Sequence, residues 1–173
     1  MSTDNDHFDD EAYAYLRQLA ARVHAERGGR NDSMRPTELL HEAWAKLAKG
    51  EGNYASRTHF LATAARSMRF IMVDRARARS RLKRGDPRLR TTLTGLAEQA
   101  GSSVDILDLD EALKALAEVD AVSEQVVTMR VFGGLTIEEV AENLGVSPRT
   151  VNKRWRYARV WLAERLKEDG DGA

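Results

Sequence analysis

The chain has 173 residues, of which 27 are Lys or Arg and 27 are Asp or Glu, so it can form one compact domain or two small ones and carries no net charge. This length excludes a large multidomain enzyme, and a balanced charge taken alone does not favour a nucleic-acid partner. The absence of cysteine excludes disulfides and thiolate metal sites, and a mean hydropathy of −0.51 excludes a membrane protein.

The composition favours helices along the whole chain. Only 3 residues are Pro and 6% are aromatic, whereas Ala, Leu, Arg and Glu recur throughout. We therefore expect an all-α protein. Residues 1–6 are acidic in character and contain no apolar run, so we expect no signal peptide, no membrane anchor and a cytoplasmic location.

Three amphipathic helices are predicted in the N-terminal half. Apolar residues recur at helical spacing over 8–27 and again over 36–49. Gly28 and Gly29 predict the end of the first of these helices. The third predicted helix, 60–84, has an apolar face opposite a face of arginines. Because an apolar stripe needs a partner to bury it, these helices are expected to pack into one small domain.

A linker is predicted after the third helix. From Gly85 to Ser103 the helical periodicity is lost, and Gly, Pro, Ser and Thr become frequent. We therefore divide the chain into an N-terminal domain at 1–84, a flexible linker at 85–104 and a C-terminal domain at 105–173. A linker of about 18 residues reaches up to ~60 Å, which exceeds the ~34 Å of one turn of duplex DNA.

Four helices are predicted in the C-terminal half. The first two are read from apolar spacing over 106–116 and 123–132. The third covers 136–144, where Thr136 and Glu139 fit a capping box. Ser147 and Pro148 then begin a long final helix that runs to about residue 167.

Charge is sorted into blocks along the chain. Residues 66–90 hold ten basic and two acidic residues, residues 98–124 hold one basic and eight acidic, and residues 149–167 hold seven basic and one acidic. Two basic blocks on one chain indicate two surfaces that face a polyanion.

The most specific signal is a helix-turn-helix pattern over 135–155. Ala141 is small where the second helix would pack, and Gly145 permits the tight turn. The second helix then presents polar and basic side chains that can contact bases and phosphates in the major groove. The predicted DNA-reading residues are Ser147, Arg149, Thr150, Lys153 and Arg154.

A second signal lies between Lys49 and Arg84, where ring side chains precede the arginine-rich helix. Unstacked single-stranded bases need rings for stacking and cations for phosphate. The simpler alternative, that Phe60 belongs to the core and Tyr54 is a packing residue of the loop, stays open. The predicted single-strand contacts are Asn53, Tyr54, Arg57, His59, Arg66 and Arg69.

Enzyme motifs are absent from the sequence. His41-Glu42 is not followed by the second His of a zinc-protease helix, and there is neither a Gly-rich phosphate loop nor a Gly-x-Ser-x-Gly elbow. The four histidines are scattered over separate elements. We therefore expect no catalytic residue, no metal and no cofactor.

These motifs together resemble the extracytoplasmic-function sigma factors of bacterial RNA polymerase, the short class of the sigma-70 family that keeps only regions two and four. Four segments carry the resemblance, and it covers nearly the whole chain. They are Thr37–Trp44 (TELLHEAW), Phe60–Arg66 (FLATAAR), Val73–Arg77 (VDRAR) and Gly133–Val151 (GGLTIEEVAENLGVSPRTV).

The resemblance implies three binding surfaces. Glu38, His41 and Glu42 fall where the family contacts the polymerase clamp, and Leu39, assigned to the same surface, would be partly a packing residue. Residues 53–59 match the loop that captures a flipped base of the minus-ten element, and 147–154 match the helix that reads the minus-thirty-five element. Arg149 stands where the family often has a small residue, so the promoter sequence of better-known members does not transfer.

The function that this implies is promoter recognition and melting on behalf of core RNA polymerase. Its partners would be the polymerase clamp and flap and promoter DNA, and an anti-sigma protein is a further partner that stays open. Two other hypotheses are kept: a stand-alone helix-turn-helix regulator with an N-terminal ligand or dimerisation domain, and an interaction protein that binds no DNA.

Overall fold

The computed structural model describes residues 12–21, 36–48, 54, 56–82, 90–91 and 104–170. Within these residues the protein is all-α, as predicted, apart from two strands of two residues each. The elements are α1 (12–21), α2 (Pro36–Ala48), α3 (Arg57–Leu82), β1 (Arg90–Thr91), β2 (Val104–Asp105), α4 (Ile106–Val131), α5 (Ile137–Leu144) and α6 (Pro148–Gly170).

The two short strands pair antiparallel at the entry to the C-terminal half. Arg90 lies opposite Asp105, and Thr91 lies opposite Val104. The Asp105 side chain also accepts a hydrogen bond of 2.7 Å from the backbone N–H of Leu107, so it caps the start of α4. Of the predicted linker, 85–104, the structure describes only 90, 91 and 104, and the division into domains stays a prediction.

Helix α3 begins earlier than its apolar pattern predicts. It starts at Arg57 rather than at residue 60, because Ser56 caps it: the Ser56 Oγ accepts a 3.1 Å hydrogen bond from the backbone N–H of His59. Hydrophobic periodicity cannot detect a first turn whose side chains are mostly polar. Arg57 and His59 are therefore held on a helix and not in a loop.

The two helices predicted at 106–116 and 123–132 are joined into α4. The interruption between them shrinks to one residue, Asp120, whose backbone is non-helical at φ −153° and ψ 86°. Its carboxylate accepts hydrogen bonds from the Ser123 backbone N–H at 3.1 Å and from the Ser123 hydroxyl at 2.6 Å. Asp120 therefore acts as the N-cap of the second half of α4.

The turn between α5 and α6 follows the sequence pattern closely. The predicted capping box is confirmed, with Thr136 and Glu139 each bonding the other's backbone N–H. Gly145 ends α5 in the left-handed region at φ 63°, and the next N–H, that of Val146, bonds the carbonyl of Ala141 at 3.0 Å. This turn sets the angle at which α6 leaves α5.

We expect Gly145→Ala to lower the free energy of unfolding by about 1–2 kcal/mol, since a Cβ is strained in the left-handed region. Among the described residues, nothing beyond the neighbouring backbone lies within 4 Å of the added Cβ, so the loss would come from backbone strain. Urea unfolding measures it, with Gly145→Asn as the matched control because Asn tolerates this conformation. Equal midpoints for wild type and Gly145→Ala would contradict the assignment.

The N-terminal and C-terminal helices share one hydrophobic core. Leu16, Met68 and Ile71 from α1 and α3 belong to the same buried cluster as Leu113 and Phe132. Helix α3 packs against both α4 and α5. The basic helix α3 is therefore covered on one side by the C-terminal half of the chain.

The turn before α5 approaches the N-terminal helices closely. A Cβ placed on Gly133 would lie 2.7 Å from the Cβ of Ala65, so only glycine lets this turn approach α3 so closely. The Tyr15 hydroxyl of α1 donates a hydrogen bond to the carbonyl of Gly133. The turn is thus held by contacts from both α1 and α3.

Candidate nucleic-acid interface

The N-terminal turns of α6 form the first candidate surface. Val151 and Trp155 are buried and anchor one face of the helix, while Arg149 and Lys153 are exposed on the other. The Ser147 Oγ accepts a 3.2 Å hydrogen bond from the backbone N–H of Thr150, which confirms Ser147 as the N-cap. Two cations are therefore presented beside a helix N-terminus, which itself favours phosphate.

Arg154, also predicted to read DNA, is directed back into the protein. Its guanidinium forms an ion pair with Asp120 of α4. Burial alone disfavours the charged form of Asp120, but hydrogen bonds from Ser123 and the charge of Arg154 outweigh it and hold the pKa of this carboxyl below its usual value. In this structure Arg154 therefore ties α6 to the kink of α4.

We expect Asp120→Asn to lower the free energy of unfolding at pH 7 by about 1–3 kcal/mol, because a charged acceptor of three hydrogen bonds is lost. Since the pKa of Asp120 is lowered in the folded state, its contribution is complete above the unfolded pKa of about 4 and fades as the pH falls through the folded value.

Urea unfolding of wild type and Asp120→Asn between pH 7 and pH 3 tests this expectation. The difference between the two proteins should shrink below about pH 4. Glu118→Gln, an exposed acid on the same helix, is the control and should change little at any pH. A difference that stays constant down to pH 3 would show that ionised Asp120 is not the cause.

Helix α2 forms the second candidate surface. Leu40 and Ala43 are buried in the hydrophobic core, whereas Glu38 and His41 are exposed. Glu42 is half-buried and accepts hydrogen bonds from Arg75 of α3 at 2.7 and 3.1 Å. The exposed acidic edge of α2 is therefore partly used to fix α2 against α3.

Leu39, assigned to the clamp surface and expected to be partly a packing residue, is a core residue only, so its assignment as a binding residue is corrected. It is only 2% exposed and belongs to the hydrophobic core, so it offers no surface to a partner. The apolar stripe of an amphipathic helix faces inward, and Leu39 lies in that stripe. Its contribution is to hold Glu38 and His41 in place.

The start of α3 forms the third candidate surface. Tyr54 packs edge-on against Phe60, with ring centroids 5.1 Å apart, and its hydroxyl donates a 3.0 Å hydrogen bond to the carbonyl of Leu47. Burial raises the pKa of this phenol. Phe60 is 3% exposed, so the alternative that Phe60 belongs to the core and Tyr54 packs in the loop describes both rings. His59 is exposed beside them, and Asn53 lies outside the described residues.

The three arginines predicted to contact DNA around α3, Arg57, Arg66 and Arg69, differ in exposure and in their partners. Arg66 is exposed, and Arg57 is exposed but pairs with Glu139 of α5 at 2.9 Å. Burial disfavours the charged form of Glu139, but hydrogen bonds from Thr136 and Arg57 outweigh it and lower the pKa of Glu139. The surface of α3 is therefore partly neutralised by α5.

Arg69, another of the predicted DNA contacts, is largely enclosed. Its side chain is 15% exposed, and its guanidinium bonds Asp110 at 2.9 Å as well as Glu124 and Thr128. Sequence reasoning found none of these partners. The acidic block at 98–124, which contains Asp110 and Glu124, was the only sign of them in the sequence.

Within the described part of the chain, no group of three or more His, Cys, Asp or Glu side chains is placed to hold a metal ion. None of the described helices is long and apolar enough to cross a membrane.

A comparison with protein families matches nearly the whole chain. The sequence profile of a family described as ECF sigma factor covers residues 3–168. No curated protein and no solved structure matches the sequence significantly.

Proposed function

The chain belongs to the ECF sigma factor family, and on this premise we propose that it directs core RNA polymerase to promoters through three surfaces. The N-terminal turns of α6 read a duplex minus-thirty-five element, α2 binds the polymerase clamp, and the start of α3 captures an unpaired base of the minus-ten element. In this proposal the chain acts by binding, and nucleotide addition is the chemistry of the polymerase.

The observation that carries the proposal is the presentation of α6. Arg149 and Lys153 are exposed on its first turns, while the opposite face is fixed by buried Val151 and by the left-handed turn at Gly145. A helix that enters the major groove needs this arrangement, because the side chains that contact the bases must extend from a rigidly held N-terminal end. The α5–turn–α6 unit is thus proposed as a helix-turn-helix.

The roles of α2 and α3 are supported by exposure and chemistry. Glu38 and His41 are polar and exposed on a helix whose other face is buried. His59 and Arg66 are exposed on α3, one offering a ring and the other a cation. A ring for stacking and a cation for phosphate are what a single strand requires.

Footprinting with and without core polymerase tests the proposal against a stand-alone regulator. Genomic fragments that the holoenzyme transcribes would be probed with the chain alone, with core enzyme alone and with both. We expect protection of a promoter only with both. Full protection by the chain alone at the same concentration would instead identify a stand-alone regulator.

We expect His59→Ala to impair promoter opening, because base stacking on a ring contributes about 1–3 kcal/mol once the base is unpaired. Permanganate reactivity of promoter thymines should fall on a duplex template and recover only in part on a template with a mismatched bubble, where melting is supplied but capture is not.

The matched control for His59→Ala is Tyr54→Phe, which keeps the ring against Phe60 and removes only the hydroxyl that bonds Leu47. It should open the duplex template like wild type. Undiminished opening by His59→Ala on the duplex template would remove His59 from the capture site.

A further inference from the structure

We propose that Arg130, near the end of α4, is a positioning residue for promoter recognition: it fixes the angle of α6 through Trp155 and so determines where Arg149 meets the bases. The inference rests on the proposed function, which gives α6 the role of reading the minus-thirty-five element. It assigns a part in recognition to a side chain that lies on a different helix from the proposed base contacts.

Arg130 contacts α6 through the ring of Trp155. The Cζ atom of its guanidinium lies 5.4 Å from the ring centroid, within the distance of about 6 Å at which a cation is attracted to an aromatic face. Trp155 is 9% exposed and belongs to the hydrophobic core. Indole attracts cations more strongly than the other aromatic side chains, and the attraction rises when water is excluded. This pair therefore connects the end of α4 to the buried face of α6.

The same guanidinium fixes the turn that precedes α5. Its Nη1 donates a 2.6 Å hydrogen bond to the carbonyl of Leu135, which is followed directly by Thr136, the N-cap of α5. A guanidinium is planar and carries several donors, so it can lie over a ring and donate to a carbonyl at the same time. Arg130 thus contacts both helices of the proposed helix-turn-helix, one at its start and the other along its buried face.

Two other arginines near this contact have different effects. The Cζ of Arg159 lies 5.9 Å from the same ring centroid, but Arg159 belongs to α6 and moves with the ring. Arg154 joins α6 to α4 through Asp120 and does not contact α5 in its printed ion pair. Arg130 is the arginine of this group whose contacts reach both α6 and the start of α5. It is therefore the one placed to set the angle between the two helices.

The angle of α6 matters for base reading because hydrogen bonds to a base edge have narrow geometry. A rotation of α6 by about 20° around its own axis moves a side-chain atom at a radius of about 6 Å by about 2 Å. A shift of that size breaks a hydrogen bond, whose donor–acceptor distance varies by only a few tenths of an ångström. Attraction to phosphates acts over about 10 Å and survives the same rotation. Loss of Arg130 should therefore reduce discrimination between sequences more than general affinity for DNA.

A double-mutant cycle with Arg149 tests the inference. Holoenzymes containing wild type, Arg130→Met, Arg149→Ala or both changes would be titrated against a transcribed promoter fragment and a mixed-sequence duplex of equal length. We expect Arg130→Met to weaken promoter binding about tenfold in the wild-type background, but less than threefold when Arg149 is already Ala. Binding of the mixed-sequence duplex should change less than twofold. Titrations are made at a temperature at which circular dichroism shows each protein to be fully folded.

Equal fold losses in both backgrounds would show that Arg130 supports α6 in general without positioning Arg149, and would overturn the inference. An equal loss on the promoter and on the mixed-sequence duplex would do the same. If Arg130→Met does not fold, Arg130→Lys takes its place in the cycle, since Lys keeps the charge but not the planar group. Its expected loss is about threefold, again confined to the background that retains Arg149.

The matched control is Arg159→Met, which removes a cation from the same ring but no contact between α6 and another element. It should weaken promoter binding less than twofold. A loss as large as that of Arg130→Met would show that the charge beside the ring matters and not the connection to α4, and would overturn the inference.

The two levels of the argument fail separately. If Arg149→Ala weakens promoter binding and Arg130→Met acts equally in both backgrounds, the inference fails and the proposed role of α6 stands. If Arg149→Ala binds the promoter as tightly as wild type, the proposed role of α6 fails, and the inference fails with it.

Discussion

Glu38→Lys is expected to weaken binding to core RNA polymerase by about 2 kcal/mol or more, which is roughly 30-fold in the dissociation constant. The Glu38 side chain is 51% exposed on α2 and forms only a long ion pair with Arg75, at 3.9 Å, so it stays accessible to a partner. A like charge placed against a complementary surface costs more than the loss of a neutral contact. Titration of labelled core enzyme with wild-type and variant protein measures the change.

Glu38 is the informative position because its neighbour Glu42 has an internal role. Reversing Glu42 would place a cation against Arg75 and disturb the packing of α2 on α3. The matched control is Glu118→Lys, which makes the same charge change at an exposed site on α4. If both variants bind core enzyme as tightly as wild type, the acidic edge of α2 is not the polymerase contact.

Arg149→Ala is expected to reduce the affinity of the holoenzyme for its promoter by about 1–3 kcal/mol, or roughly 5- to 150-fold. The residue is exposed at the start of α6, where a guanidinium can bond both acceptors of a guanine edge. Loss of a base contact should also relax the preference at one position of the minus-thirty-five element. Competition binding against a library randomised in that element measures both effects.

Arg165→Ala is the control for Arg149→Ala, because it removes an exposed arginine of the same helix far from the proposed reading end. It should change affinity little. A uniform loss over all library sequences in Arg149→Ala would reassign the residue as a phosphate contact. Arg154→Ala should give such a uniform loss, since Arg154 acts through Asp120 on the position of α6.

The local features of the C-terminal half could be predicted because their causes are local. The Thr136 capping box, the left-handed Gly145 and the Ser147 cap each depend on residues within four positions of one another. The break at Asp120 was also visible in the sequence as a loss of apolar spacing, although the structure interrupts the helix at one residue only. Interactions between residues this close in sequence can be predicted from the residue types and their spacing.

The charge pairing of α3 could not be predicted, because it joins residues distant in sequence. Arg69 and Asp110 are 41 positions apart, and Arg57 and Glu139 are 82 apart. An arginine on a predicted amphipathic helix has the same pattern whether it faces DNA or a carboxylate of another helix. The basic face of α3 could therefore be predicted from the sequence, but the acidic side chains of α4 and α5 that pair with it could not.

Run-off transcription from genomic fragments tests the proposed function most directly. Core RNA polymerase would be incubated with fragments in the presence of wild-type protein, Glu38→Lys or Arg149→Ala, and the 5′ ends of the transcripts would be sequenced. We expect transcripts only with the added protein, starting at a shared distance downstream of two common sequence elements, and fewer of them with either variant. Transcripts with random start sites, or the same transcripts from core enzyme alone, would contradict the proposal.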